Sequence, residues 1–209
     1  ACAIARHTEE DECNGLADAA LMATDFPDLD LWHPWALDVD AAIELGRKME
    51  AAGLAVRGVD NSEGASVESG QGQSLYANSH GFVGSRQGTR HSISCSLIAR
   101  NGGGMQRDYW YDSRRAATEL MDVEALGRKA GERAVARLGA QGLATRRCPV
   151  LFVPEMARSL IGHLLAAVSG GALYRQASFL LDQAGQQILP DWLNITEQPH
   201  LLRGQASTC

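Results

Sequence analysis

Two side chains in one stretch of the chain carry groups that hydrolytic or metal chemistry uses. Glu155 and His163 lie on a helix that we expect to begin at Pro154, because proline is tolerated in the first turn. Two metal ligands on one helix face need a spacing of about one turn. Glu155 is about two turns from His163, and the positions one turn to either side hold Ser159 and Ala167. This helix alone therefore does not predict a mononuclear metal site.

The histidines leave several interpretations open. His163 is either a helix histidine that hydrogen-bonds near an interface or part of a hydrolytic site with Glu155 or Asp182. His91 is expected to be a buried, hydrogen-bonded histidine, and His80 lies in a turn. The chain has no phosphate-binding loop, no G-x-S-x-G and no H-E-x-x-H. The residues by themselves thus mark no active site.

The middle of the chain alternates with a period of two and predicts β-structure from Val56 to about Tyr111. Glycine-containing breaks separate four or five runs; they lie at residues 63–64, 70–72, 79–81 and 101–104. The connections are too short for crossover helices, so we expect an antiparallel meander. In the clearest run one face is predicted to be core, and its members are His91, Ile93, Cys95 and Leu97.

Helical patterns flank these strands. One helix is expected from Asp38 or Asp40 to about Gly53, and a second from about Asp122 to Leu138. Residues 26–35 alternate Leu with Asp between prolines, which favours an extended arm laid against the body. The prediction is an α+β fold, with an antiparallel β-meander flanked by helices.

A second unit is expected to follow. We place the domain boundary in the connector 145–149, giving domains 1–146 and 147–209. Residues 150–153 read as a short buried strand, and the helix after Pro154 is expected to reach Ser169. About 60 residues make a poor core, so we expect this second α+β domain to be incomplete and the sequence to be a piece of a longer polypeptide.

The composition excludes several classes of protein. The 209 residues carry a formal net charge of -6 and are 45% hydrophobic, which argues against nucleic-acid binding and against a disordered chain. The most apolar stretch is too short to cross a bilayer. Five scattered cysteines without a C-x-x-C favour reduced thiols, and we expect a cytoplasmic protein.

Seven local sequences, in order along almost the whole chain, resemble the TldD/PmbA metallopeptidase family. They are FPDLDLWHP at 26–34, DNSEG at 60–64, ANSHGF at 77–82, TRHSIS at 89–94, MQRDY at 105–109, the segment 178–193 and PHLLRGQAST at 199–208. The resemblance implies a cytosolic peptidase system of two paired subunits that degrades unfolded peptides. Its substrates would include a peptide-antibiotic precursor and an antitoxin. The fold implied is of the TldD/PmbA type.

The resemblance also bears on the site. The family's metal-bearing TldD-type subunit has a His-Glu pair and a second His four residues later, positions that fall on Gly162, His163 and Ala167 here. The chain therefore resembles the subunit without the metal, which would close the chamber around the partner's active site and help to hold extended substrate. No catalytic residue, metal or other cofactor is expected on this chain, and a divalent, zinc-type ion is expected on the TldD-like partner.

His163 and Arg175 are the substrate-binding residues that the resemblance implies. Arg175 would either pair with a peptide carboxylate or form a salt bridge at an interface. The alternative function is a non-enzymatic regulator that binds a DNA gyrase inhibitor or an antitoxin. The net negative charge speaks against direct contact with DNA.

Overall fold

The structure, a computed structural model, describes residues 2–9 and 15–207. It divides into two units, residues 1–140 with 198–209, and residues 141–197. The helices are α1 (Cys2–Ala5), α2 (Val39–Leu54), α3 (Val123–Ala136), α4 (Pro154–Val168) and α5 (Gly170–Tyr174), with 3-10 turns at Ala19–Leu21 and Ala117–Glu119. The strands are β1 (Val59–Ala77), β2 (Val83–Asn101) and β3 (Gly104–Arg114). These elements confirm the α+β class.

The sheet is antiparallel in the order β1-β2-β3. The expected four or five runs are wrong for the described residues, because two of the glycine breaks lie inside β1. Gly64 has a φ of +115° and lies at a register shift, so an irregularity absorbs it and the ladder continues. Gly72 pairs with Gly88 without interruption. Three long strands result.

The core lies between one face of the sheet and the helices α2 and α3. Its fully buried members are Met49, Ile93, Cys95, Leu97, Ala99, Leu126, Ala130 and Ala134, so the predicted alternation in β2 is confirmed. The carboxylates of Asp38 and Asp122 accept hydrogen bonds from the backbone at the N-termini of α2 and α3. Asp38, and not Asp40, is therefore the cap of α2, and α3 begins where the sequence predicts. The two helices pack very closely, since a Cβ added at Gly127 would lie 1.9 Å from the carbonyl oxygen of Met49.

The arm at residues 26–35 is extended and lies against β2, as its sequence predicts. The Thr89 amide donates to the Leu31 carbonyl at 2.9 Å, and the His33 amide donates to Thr89 Oγ1 at 3.0 Å. The closing segment 198–207 also contacts this unit, because the Arg203 amide donates to the Leu29 carbonyl at 2.9 Å. The domain boundary placed at residues 146 and 147 stays a prediction.

The unit formed by residues 141–197 consists of α4, α5 and turns. The buried strand expected at 150–153 is wrong, because these residues form no strand and are exposed, Leu151 at 94%. A strand needs a partner to satisfy its backbone groups, and the sheet of the structure contains only β1, β2 and β3 among the described residues. In the part of the chain that the structure describes, no helix combines the length and apolar character needed to span a membrane.

Candidate functional site

The helix α4 positions His163 in the middle of its exposed surface. Pro154 occupies the first turn, where its missing N–H costs nothing, and the helix runs to Val168 as the sequence predicts to within a residue. His163 is exposed, and no side chain one turn away is a ligand, since Ser159 and Ala167 occupy those positions. The Ser159 hydroxyl donates to the Met156 carbonyl within the helix.

A metal ion does not fit the donors of this helix. A divalent ion in a peptidase is held by imidazole, carboxylate or thiolate groups that converge on one point. Glu155 lies about 12 Å further along the helix axis from His163, and Gly162 and Ala167 offer no donor atom. Among residues 2–9 and 15–207, no three His, Cys, Asp or Glu side chains come together as a metal site. The described part of the chain therefore offers no set of side chains that could coordinate a divalent metal ion.

Arg175, the other residue implied by the resemblance, follows α5 directly. It caps that helix with its amide, which donates to the Gly171 carbonyl at 3.3 Å, and its guanidinium lies back over Gly171. The side chain is exposed. Within the described residues, no hydrogen bond or ion pair joins His163 to Arg175, so the structure places both in the unit 141–197 without bringing them into contact.

His91 is held as a structural histidine. Its Nε2 atom donates to the His33 carbonyl at 2.8 Å, and its Nδ1 atom shares a hydrogen bond of 3.0 Å with the Ser69 hydroxyl. The Trp35 ring meets it edge-on at 5.4 Å between centroids. Full burial and two hydrogen bonds confirm the interpretation as a satisfied core residue. The same contacts explain how Trp35 anchors the arm.

The sheet face opposite the helices carries the carboxylates of Glu63 and Glu68 among serines and tyrosines. Glu63 accepts hydrogen bonds from the Ser96 hydroxyl at 2.7 Å and from the Arg107 guanidinium at 3.0 Å. These two contacts, the serine first, lower the pKa of Glu63. A carboxylate already paired in this way is poorly suited to accept a proton from a substrate.

One cluster was not predicted from the sequence, because residues 70–72 were interpreted as a break between strands. In the outer half of the β1–β2 hairpin, Gly72 pairs with Gly88, and Arg86 and Arg90 lie two residues to either side of Gly88 on the same face. Arg115, which follows β3, reaches the same place and donates to the Thr89 carbonyl at 3.0 Å. A signal was available in the sequence: glycines and arginines alternate at 84–90 with the period of a strand.

Comparison with known proteins identifies the relatives of this chain. The family model described as the PmbA/TldA metallopeptidase central domain matches residues 32–138. The model of the C-terminal domain of the same family matches residues 145–209. Together the two matches cover most of the chain.

Individual relatives agree with the family matches. Metalloprotease PmbA of Escherichia coli O157:H7 is 47% identical over 206 residues, which are 98% of this chain and 46% of that protein. A Metalloprotease PmbA homolog of Haemophilus influenzae is 46% identical over 209 residues, covering 100% of this chain and 46% of that protein. A crystal structure of a candidate modulator of DNA gyrase from Bacteroides thetaiotaomicron has a TM-score of 0.89 at 27% identity, over 97% of this chain and 47% of that one. The chain spans about half the length of the curated relatives that it matches.

Proposed function

This chain belongs to the PmbA/TldA metallopeptidase family, and from that premise we propose that it is the subunit without a metal site in a two-subunit peptidase. The partner is a TldD-like subunit that carries a divalent, zinc-type ion. The complex works in the cytoplasm and cleaves unfolded peptides, such as a peptide-antibiotic precursor or an antitoxin. This chain closes the chamber and holds extended substrate.

The observation that carries this proposal is the donor set of α4. Where the family resemblance places a His, a Glu and a second His, the helix has Gly162, His163 and Ala167. Neither Gly162 nor Ala167 has a side-chain donor atom, and a single imidazole does not hold a divalent ion. The family's peptide-bond chemistry would then have to be supplied by the partner.

Arg175 and His163 are the substrate contacts in this proposal. The exposed Arg175 guanidinium retains donors for a peptide carboxylate, and the exposed His163 imidazole can hydrogen-bond a peptide carbonyl. An extended peptide can also add to a free sheet edge through its backbone. None of these contacts requires this chain to supply a nucleophile.

The test measures cleavage of an unstructured, fluorescence-quenched peptide by the purified protein, by its TldD-like partner and by the mixture, together with the metal content of each. We expect cleavage in the mixture and zinc in the partner only.

The variant Arg175→Gln should raise KM for the peptide with little change in kcat, because the substitution removes a binding contact and leaves the chemical step unchanged. Arg147→Gln, an exposed arginine in the same unit, is the matched control. Full cleavage by the protein without its partner would contradict the proposal.

The second candidate function is regulation without cleavage. The name of the Bacteroides structure, a candidate modulator of DNA gyrase, favours it. In that case a gyrase inhibitor or an antitoxin would bind in a fixed ratio and remain intact. Mass spectrometry of the binding partner after long incubation with both subunits separates the two functions, since only the peptidase yields fragments.

A further inference from the structure

The backbone groups of β1 point alternately towards β2 and away from it. The Arg100 amide on β2 donates to the carbonyl of Gly58, which directly precedes β1, at 3.1 Å. Alternate residues of an antiparallel strand bond to the same neighbour, so the even-numbered residues of β2 face β1. They pair in register with the even-numbered residues of β1 from Gly64 to Tyr76. The odd-numbered residues of this stretch therefore direct their amides and carbonyls to the other side of β1.

This outer side of β1 forms a long exposed edge of the sheet. The sheet order is β1-β2-β3, so β1 has a neighbouring strand on one side only among the described residues. Residues 68–77 are all exposed. We call the outward-pointing backbone of this part of β1 the open edge, which is about 27 Å long. Its members are Val67, Ser69, Gln71, Gln73 and Leu75.

Carboxylates close the opposite edge of the sheet, on β3. By the same alternation, β3 directs its odd-numbered amides away from β2. The Tyr109 amide donates to Asp108 Oδ1 at 2.8 Å, and the Ser113 amide donates to Asp112 Oδ1 at 2.9 Å. The carbonyl oxygens of a strand added to β3 would have to displace these carboxylates, and the negative charges would repel them.

The open edge differs from β3 in having no such protection. Natural edge strands are usually protected by charged side chains, proline or bulges. Residues 69–77, SGQGQSLYA, contain no charged residue and no proline, and they pair with β2 without a register shift. A Cβ added at Gly72 would meet nothing within 4 Å, so the side chains of an added strand have room beside it.

We propose that the open edge binds an extended segment of substrate peptide as an added strand, through hydrogen bonds between the two backbones. The proposal rests on the proposed function and deepens it, because it names the part of this chain that holds the substrate. A second copy of this chain is a poorer occupant, since two chains of net charge -6 repel each other, whereas a neutral peptide is not repelled. Binding should be independent of the peptide's side chains but should exclude proline, which lacks the amide.

The test uses fluorescence anisotropy with the full chain and two labelled, unstructured ten-residue peptides of Gly, Ser and Thr. The two have the same sequence, but one is N-methylated at four consecutive central residues, which removes amide donors from both sides of the extended peptide. We expect the unmethylated peptide to bind about tenfold more tightly. A scrambled peptide of the same composition should bind as tightly as the unmethylated one. Equal affinity for the methylated and unmethylated peptides would overturn the proposal.

Two double variants locate the binding on β1. Gln71→Pro/Gln73→Pro removes two amides that point away from β2, so the sheet should persist while binding of the unmethylated peptide weakens about tenfold. The matched control Gln71→Ala/Gln73→Ala removes the same side chains, keeps the amides, and should change binding less than about twofold. Thermal unfolding of both variants checks the fold, and the comparison of the two peptides decides the question independently of these variants. An equal loss in the control, or no loss in a folded proline variant, would contradict a site on the open edge.

Further results separate the occupant of the open edge from the premise. A dimer of the full chain that Gln71→Pro/Gln73→Pro converts to a monomer in sedimentation would show a second copy on the edge and overturn the peptide assignment. Cleavage by the mixed subunits with an unchanged KM in the folded proline variant would overturn the open edge and leave the proposed function standing. Binding that needs the peptide's amides, without any cleavage by the mixture, would support the open edge and count against the peptidase role.

Discussion

The two units of the chain contain helices of similar length but bury them very differently. On α3, in the unit 1–140 with 198–209, Leu126, Ala130 and Ala134 are completely buried against α2 and the sheet. On α4, in the unit 141–197, Leu160 and Leu165 are about half exposed, and Ala167 is the one buried hydrophobic residue of those 57 positions, all of which the structure describes.

The difference in burial between α3 and α4 distinguishes two sources of helix stability: local signals at the helix start and tertiary packing of the apolar face. Asp122 at the start of α3 and Pro154 at the start of α4 are both sound signals for a helix to begin. Most helical stability in proteins nevertheless comes from burial of an apolar face. Within the described residues, α3 buries its apolar face and α4 does not. Substitutions in and around the two helices should therefore change the free energy of unfolding by unequal amounts.

The largest difference should come from truncating a leucine in each unit. Leu97→Ala removes a fully buried side chain from the core and should lower the free energy of unfolding by about 3 kcal/mol. Leu160→Ala, at a position 49% exposed, should lower it by less than about 1 kcal/mol. Urea unfolding of both variants measures the two values. Equal losses would mean that the unit 141–197 has a core of comparable strength.

Adding one methyl group to a glycine should change stability with opposite signs in the two helices. Gly127→Ala would place its Cβ 1.9 Å from the backbone oxygen of Met49, which cannot rotate away, and should cost about 2 to 3 kcal/mol. A Cβ at Gly162 would meet nothing within 4 Å, so Gly162→Ala should raise stability by up to about 1 kcal/mol through helix propensity.

The midpoints of thermal unfolding of the two glycine variants measure this contrast. A drop in the midpoint for Gly162→Ala would show that α4 is also closely packed. No change for Gly127→Ala would contradict the close contact between α2 and α3.

The smallest expected contrast concerns two thiols. Burial, with a smaller contribution from the charge of Glu50, raises the pKa of Cys95 to about 11. Cys148 in the other unit is exposed. Alkylation with iodoacetamide near pH 8, followed by peptide mapping, should label Cys148 and leave Cys95 intact until the protein unfolds.

The same shift predicts a pH dependence of stability. Because the folded protein holds the Cys95 proton more tightly than the unfolded chain does, the contribution of this thiol is present below a pH of about 9 and is lost as the pH rises towards about 11. Cys95→Ala should flatten the decline in unfolding free energy over that range. An unchanged slope would contradict the assignment to this thiol.

Much of the fold could be predicted from residue patterns, whereas contacts between distant segments could not. Asp38, Asp122 and Pro154 mark helix starts correctly because capping depends on neighbouring residues. The prediction failed at Gly64 and at 70–72, since a glycine can either end a strand or lie within a paired one, and only the partner strand decides which. The expected strand at 150–153 failed for the related reason that an apolar run is not a strand without a neighbour.

The candidate site shows the same limit. The separation of Glu155 from His163 by two turns of α4 could be predicted, because the spacing of residues along a helix follows from its pitch. The gathering of Arg86, Arg90 and Arg115 could not, since Arg115 is 25 positions from Arg90 in the sequence. Arg115 reaches the other two arginines only because β3 pairs with β2 and ends beside Thr89.

The amino-acid sequence by itself determined the helix starts, the buried face of β2 and the spacing of Glu155 and His163 along α4, because each depends on spacings of one or two turns or on alternate residues. The tertiary structure decided which glycines continue a strand, how closely α2 approaches α3, and which arginines share one cavity. Those features depend on contacts between residues far apart in the chain, and local preferences are too weak to specify them.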